Sequence, residues 1–420
     1  MNPSPREPAP MSARPVSVWG AARRLWRSAM PESVRKLAGP VLNMVLESYV
    51  RSAARKPHGA DTASGPIKIV GYFAGAHGIA ASARLAARAF EALGVPVERI
   101  DVTDAKLDWN GRLSEPVSAS AWIFHLNPPE LLAVLACLGP RQLLGPRYGY
   151  WAYELPRAPA RWLKDAALVD EVWAPSRYTA QALAGAAAPL RVVPHPLFLE
   201  DYAKVLPAPR RTPFQGVSIF DFNSSLARKN PQGAIAAWTR AFGDDPDCEL
   251  TLKTQNGRLF PEALARLREA APANVRIVDE VWPYADVQSL IAGADVLVSL
   301  HRAEGFGLTP AEAMALGTPV LASAWSGVLD FMDADCALMV PCAQTPVADP
   351  QGIYRGRQAW AEPDIAAAAA ALVRLRQDPG LGRRISEAAR VRIAQQLSPQ
   401  AWFTTLPEPV KAAAMAAVRR

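Results

Sequence analysis

A chain of 420 residues exceeds one ordinary domain, and with half its residues hydrophobic it can bury two substantial cores. Its net charge of +7 does not mark a nucleic-acid binder: residues 1–65 hold ten Lys and Arg against four Asp and Glu, which leaves a near-neutral body without a phosphate-binding face. The four cysteines, Cys137, Cys248, Cys336 and Cys342, show neither CxxC spacing nor a histidine at zinc spacing, which argues against a disulfide framework or a structural metal.

In chain order, residues 1–15 (MNPSPREPAPMSARP) are proline-rich and polar, unlike a signal peptide. No stretch reaches the roughly 18 apolar residues that span a bilayer. A cytoplasmic protein is therefore expected. Residues 16–56 read as helical pieces broken near Pro31 and Pro40, with Trp19, Trp26, Val41, Val45 and Tyr49 set among basic groups. Such a segment fits an anionic membrane surface, peripheral on its inner face, and equally a helix packed on the protein's own body.

From Gly65-Pro66 the texture changes. IKIVGYF (67–73) reads as a strand, AGAHG as a turn, and Ile79–Leu93 as a helix closed by Gly94. Further strands are expected at 97–102, 121–126, 147–153, 171–175 and 190–194, with helical runs between most of them. After a proline-rich stretch at 199–215 the alternation restarts. Strands are expected at 216–222, 248–253, 275–278 and 294–300, and helices at 231–242, 260–271 and 284–293. Helical runs over 362–396 and 407–419 close the chain. The pattern predicts an α/β chain with two Rossmann-like, doubly wound parallel-sheet domains. Its parts are a basic extension (1–65), a first domain (66–200), a hinge (201–215), a second domain (216–396) and a last helix (397–420) packing back on the first. Ligands are expected in the interdomain cleft, at the carboxyl ends of the strands.

The chemistry concentrates in SLHRAEGFGLTPAEAMALGTPVLAS, residues 299–323. A strand ends at Leu300, a loop follows, and a helix is expected with Thr309 as N-cap, Pro310 in its first turn and Gly317 at its end. Gly305 and Gly307 leave amides bare at a helix start, where unpaired N–H groups and the helix dipole attract an anion such as a diphosphate. Glu304 and Glu312 flank that turn with seven residues between them and suit sugar and ribose hydroxyls. The plainer alternatives are a solvated charge for Glu304 and a capping box for Glu312. Arg228-Lys229, ahead of Asn230-Pro231 and a helix, is a second phosphate candidate or else a surface basic pair; Lys253 ends a strand on the same edge.

These words resemble glycosyltransferase family 4, retaining enzymes of GT-B fold with an E-x7-E motif. FDFNSSLARKNP, GYWAYELP, DEVWAPS and SLHRAEGFG are most similar to bacterial enzymes of surface and exopolysaccharide synthesis. The resemblance implies that Glu304 meets the donor sugar, Glu312 the ribose, and the amides of Phe306, Gly307 and Leu308 the sugar and diphosphate. It places Lys229 on the diphosphate, whereas the usual arginine position is Ser224, with Arg228 as the substitute. Gly78, in the first glycine loop, would approach the donor phosphates closely; a tight turn is the alternative. In place of the family's first-domain histidine stand Tyr153 and Glu154. Glu154 and His125 are therefore the acceptor-side catalytic candidates, and His195 and His301 are expected to line the cleft.

The implied function is transfer of a hexose from a nucleotide sugar (UDP- or GDP-linked) to a glycan or lipid-linked acceptor, with no cofactor and no metal. Asp333-Ala-Asp335 spells DxD but follows a helix-like VLDFM run rather than a strand. The competing readings are a nucleotide-sugar epimerase or hydrolase, and a nucleotide-sugar-binding protein without turnover.

Overall fold

The computed structural model describes residues 44, 47–54, 64–75, 77–103, 113 and 115–419. Most of the basic extension, including nearly all of the candidate membrane segment 16–56, lies outside the described residues. The part that is described, helix 47–54, packs on the protein's body. Val50 and Ala54 sit in the first domain's core, and Arg51 donates from Nε to Asp165 at 2.7 Å. No described helix is long and apolar enough to cross a membrane.

The first domain is built on β1 (Ile67–Gly71), β2 (Val97–Asp101), β3 (Ala121–Phe124), β4 (Arg147–Tyr150), β5 (Glu171–Ala174) and β6 (Leu190–Val192). Among the described residues they form one six-stranded parallel sheet in the order β2-β1-β3-β4-β5-β6. Strands β1, β3 and β4 are buried throughout, as the central strands of a sheet covered on both faces must be. One face packs the helix Gly78–Ala92 through Ala86, Ala89 and Phe90. The chain's last segment returns to this face, and Trp402, Leu406 and Val410 join the same cluster.

The second domain contains β7 (Phe214–Asp221), β8 (Cys248–Gln255), β9 (Val275–Asp279), β10 (Val296–Ser299), β11 (Val320–Ser323) and β12 (Leu338–Val340). Its six strands run parallel in the order β9-β8-β7-β10-β11-β12. The order reverses between β7 and β10, the switch point where such sheets open a crevice at their carboxyl ends. Trp238 on one face and the helix Leu308–Leu316, buried from Pro310 to Leu316, on the other close the core.

Two expectations change, and one element is new. Strand β4 stops at Tyr150, and the following 151–158 runs as irregular backbone across the gap to the second domain. The C-terminal helical run divides at Asp378-Pro379 into Ile365–Gln377 and Pro379–Leu397, because proline cannot donate into the preceding turn but suits a first turn. Residues 342–363, most of which had no element assigned from sequence, form an antiparallel hairpin of β13 (Cys342–Pro346) and β14 (Ala359–Pro363).

Candidate functional site

The turn before the helix Leu308–Leu316 is fixed by its glycine at 307. Gly307 has φ of 96°, caps the helix Leu308–Leu316, and leaves no room for a side chain, since an added Cβ would meet Val328 Cγ1 at 2.5 Å. The helix therefore starts one residue before Thr309. Thr309 is no N-cap but part of the first turn, and the positive φ that glycine adopts freely at 307 sets the helix start ahead of threonine's capping preference. Glu312 is no capping-box partner either, since its Oε1 accepts from the Tyr284 hydroxyl. Gly317, with φ of 82°, ends the helix as expected. The amides at 307–309 open the helix with no intrahelical acceptor, at the carboxyl end of β10. Replacing Gly307 by alanine is expected to cost about 2–3 kcal/mol from strain and overlap. Denaturant unfolding checks it, and a variant of unchanged midpoint would show that this turn tolerates a side chain.

Glu304, Arg228 and Lys229 come together. Lys229 Nζ donates to Glu304 Oε1 at 2.5 Å, and Arg228 Nη1 lies 3.1 Å from Oε2. Arg228 is buried; its Nη1 also reaches the Ala303 carbonyl at 2.8 Å, and its Nε donates to the Ser224 carbonyl at 3.1 Å. The backbone of Ser224 thus seats the Arg228 guanidinium. Burial alone would raise the Glu304 carboxyl, but Lys229, Arg228 and His301 outweigh it and hold it down to about 2. Burial pulls the Lys229 ammonium below its ordinary value, against the attraction of Glu304. Ser326 Oγ accepts from the Glu304 amide at 2.8 Å, so the chain before the glycines is also pinned.

Glu312 lies apart from this group. Burial pushes its carboxyl up to about 7, opposed by the Tyr284 hydrogen bond. Lys253 does not join the cation pair: its Nζ donates to the carbonyls of Thr254 at 2.9 Å and Glu280 at 2.6 Å, 5.0 Å from the Trp282 ring centroid. His301 is fully buried, with Nδ1 beside the Ser299 carbonyl at 3.0 Å and Nε2 beside that of Trp325 at 3.3 Å, contacts that brace the loop.

The first domain reaches this turn directly. Ser176 Oγ donates to the Gly305 carbonyl at 2.5 Å, with Thr179 Oγ1 at 3.1 Å from the same oxygen. Phe306 meets the His195 ring edge-on at 4.7 Å. Behind His195 stands a buried column: its Nδ1 lies 3.2 Å from the Tyr150 hydroxyl, Tyr150 stacks on His125 at 4.6 Å, and His125 Nδ1 lies 2.7 Å from Ser82 Oγ. Burial lowers both His125 and His195 to about 3, so both rings are neutral at pH 7. His125 is thus one aromatic layer behind the wall of the gap. Glu154 lies at the gap, where Oε2 accepts from the Tyr354 hydroxyl at 2.8 Å. Gly78 opens the helix Gly78–Ala92, with open space where a Cβ would stand and His77 as N-cap.

Sequence reasoning missed Tyr284, Ser176, Thr179, Ser326 and Tyr354. A Ser-x-x-Thr before a helical run was a visible capping signal at 176–179; nothing local marked the others. Among the described residues no group of three or more His, Cys, Asp or Glu is placed to hold a metal ion, and Asp333 instead pairs with Arg392 at 2.8 Å.

Residues 222–378 match the family model described as glycosyl transferases group 1. No curated protein matches the sequence significantly. Among solved structures, the chain is similar to sucrose-phosphate synthase from Thermosynechococcus elongatus: 17% identity, TM-score 0.60, covering 84% of this chain and 98% of that one. It is similar to HepE from Anabaena, solved with UDP and glucose, at 13% identity and TM-score 0.59, over 83% of this chain and 100% of that one. Similarity also extends to S. aureus TarM, solved with Fondaparinux, alpha-GlcNAc-glycerol and UDP, at 12% identity and TM-score 0.50, over 71% of this chain. This chain spans only 55% of that TarM structure. The protein has the GT-B fold, and the stretch of its second domain over residues 222–378 is similar to the glycosyl transferases group 1 model.

Proposed function

We propose that this protein is a retaining glycosyltransferase that moves a hexose from a nucleotide sugar to a glycan or lipid-linked acceptor in bacterial polysaccharide synthesis. The observation that carries the reading is the buried Arg228–Lys229–Glu304 group beside the open amides of the helix Leu308–Leu316. Two fixed cations and a helix start supply the charge that a leaving diphosphate needs. One carboxylate held ionised beside them suits the sugar face, where an oxocarbenium-like centre develops.

In this reading the bond from C1 of the sugar to the diphosphate oxygen breaks, and its electron pair leaves with the diphosphate onto Lys229, Arg228 and the amides. The acceptor hydroxyl attacks C1 from the same face and passes its proton to the departing phosphate oxygen. Glu304 steadies the sugar, Glu312 takes ribose hydroxyls, and the two domains exclude water. UDP sugars are the first donors to try, because the similar HepE and TarM structures hold UDP; GDP sugars are the second.

A thermal-shift panel of UDP, GDP and ADP sugars tests the reading. One nucleotide series is expected to raise the melting temperature in the native chain and to lose that effect in Lys229→Ala and Glu312→Ala. Product analysis with the stabilising donor then separates transfer from hydrolysis, epimerisation or binding alone. If no series stabilises the native chain, the donor reading fails.

A further inference from the structure

The hairpin β13–β14 is tied to the donor site from both domains. Its tip brackets the 222–229 turn that carries the two cations. Asp349 Oδ1 accepts from Ser225 Oγ at 3.0 Å, Gln351 Nε2 donates to the Phe222 carbonyl at 2.7 Å, and Gln351 Oε1 accepts from the Leu226 amide. Ser225 holds a φ of 66°, a left-handed backbone that a serine keeps only when its surroundings impose it. Asp349 also binds the amides of Ile353 and Tyr354, at 3.0 Å each, and so sets Tyr354 over the site. The Tyr354 ring centroid lies 5.9 Å from the Arg228 guanidinium.

The opposite side of the tip belongs to the first domain. Tyr354 donates its hydroxyl to Glu154 Oε2 at 2.8 Å. Gln358 exchanges two hydrogen bonds with the Arg157 backbone, at 2.9 and 3.0 Å. Leu155 packs with Ala303 and Trp360, so the 154–157 stretch, the hairpin and the donor loop share one small core.

Resting on the donor reading above, we propose that Tyr354 is a positioning residue that couples domain closure to the cation pair. Glu154, from the first domain, fixes the hydroxyl; the ring then fixes Arg228, and Arg228 is held against Glu304. With the domains apart, Glu154 leaves, Tyr354 turns, and Arg228 loses the face that orients its fork. Charge neutralisation of the leaving diphosphate is thereby confined to the closed, water-excluding state, and donor is not spent on water. Glu154 then acts through Tyr354 and not on the acceptor.

The test uses the full-length chain with Tyr354→Phe, Glu154→Leu, which removes the acceptor of the Tyr354 hydroxyl, and the double variant. Tyr354→Phe keeps the ring and removes only the hydroxyl. UDP affinity by calorimetry is expected to stay within about threefold of native, while kcat for transfer falls about tenfold and the share of donor lost to water rises. The two single variants should match, and the double variant should be no worse than either, as for two ends of one link. Amide exchange across 222–230 in the ligand-free protein should quicken in both, a readout that needs no donor. Native exchange there, a native partition between water and acceptor, or additive losses would each overturn the coupling. A native chain that binds no nucleotide would instead defeat the donor reading, and the exchange data would still decide the link.

Discussion

Arg228→Ala is expected to lower kcat/KM for sugar transfer at least about 100-fold and to destabilise the protein by about 3 kcal/mol. Both effects have one cause. Arg228 has a side chain only 5% exposed, and it shares the Glu304 carboxylate with Lys229. Removing it leaves a buried carboxylate with a single cation and also orphans the carbonyls of Ala303 and Ser224, which its fork satisfies. Lys229, 21% exposed at its side chain, can be partly replaced by water. Lys229→Ala is therefore expected to lose comparable activity with a smaller stability cost, about 1–2 kcal/mol. Arg228→Lys keeps the charge but cannot fork to Glu304, Ala303 and Ser224 together, and should fall between. Denaturant midpoints and initial rates on the three variants check the order. Equal stability losses for Arg228→Ala and Lys229→Ala would show that burial does not distinguish the two cations.

The pH dependence of this pair follows from Glu304. Its folded carboxyl is held down to about 2, below its ordinary 4.5, so the stability it contributes is complete above 4.5 and is lost only as pH falls towards 2. Glu304 adds no pH dependence in the neutral range. A transition near neutrality therefore has another source.

What was legible in the sequence was what is local. Residues 299–323 place a strand end, a glycine turn and a helix in succession, so the local order of Glu304, the turn and the helix that carries Glu312 could be read. Both sheets were legible because strands buried on two faces spell near-continuous apolar runs such as IKIVG and VLVS. What could not be read is what depends on distant chain. Lys229 and Glu304 are 75 positions apart, and Glu154 and Tyr354 are 200 apart. Tyr354 lies in a hairpin whose sequence, proline-rich and without clean alternation, gave no strand signal. The histidines show the same limit. His125, His195 and His301 all fall at strand ends, where a ligand-facing ring and a core ring look alike. Packing decides between them, through Tyr150 over His125 and Phe306 on His195. Thr309 was misplaced for the opposite reason, since a favourable local preference lost to the backbone geometry that Gly307 alone can adopt.

Glu312 is expected to make both stability and donor binding depend on pH near neutrality, in opposite directions. Its carboxyl is raised by burial to about 7 from an ordinary 4.5, so between those values the folded state holds a proton that the unfolded chain has released. That stabilisation is full below 4.5 and is lost as pH rises through about 7, a contribution on the order of 1–3 kcal/mol. Binding runs the other way. Ribose hydroxyls donate best to an ionised carboxylate, so affinity for a nucleotide sugar should rise by up to about tenfold between pH 6 and 8. A nucleotide sugar is the ligand to use, because its diphosphate is esterified at both ends and does not titrate in this range. The Tyr284 hydroxyl, which donates to the same carboxylate oxygen, must then share or yield its place. Glu312→Gln should flatten both profiles while leaving the Arg228–Lys229–Glu304 group intact. Unfolding midpoints and donor titrations across about pH 5.5–8.5 read the two slopes. If the glutamine variant keeps the native slope in binding, the ionisation that governs the donor belongs to another group, and Glu312 is not where the ribose is held.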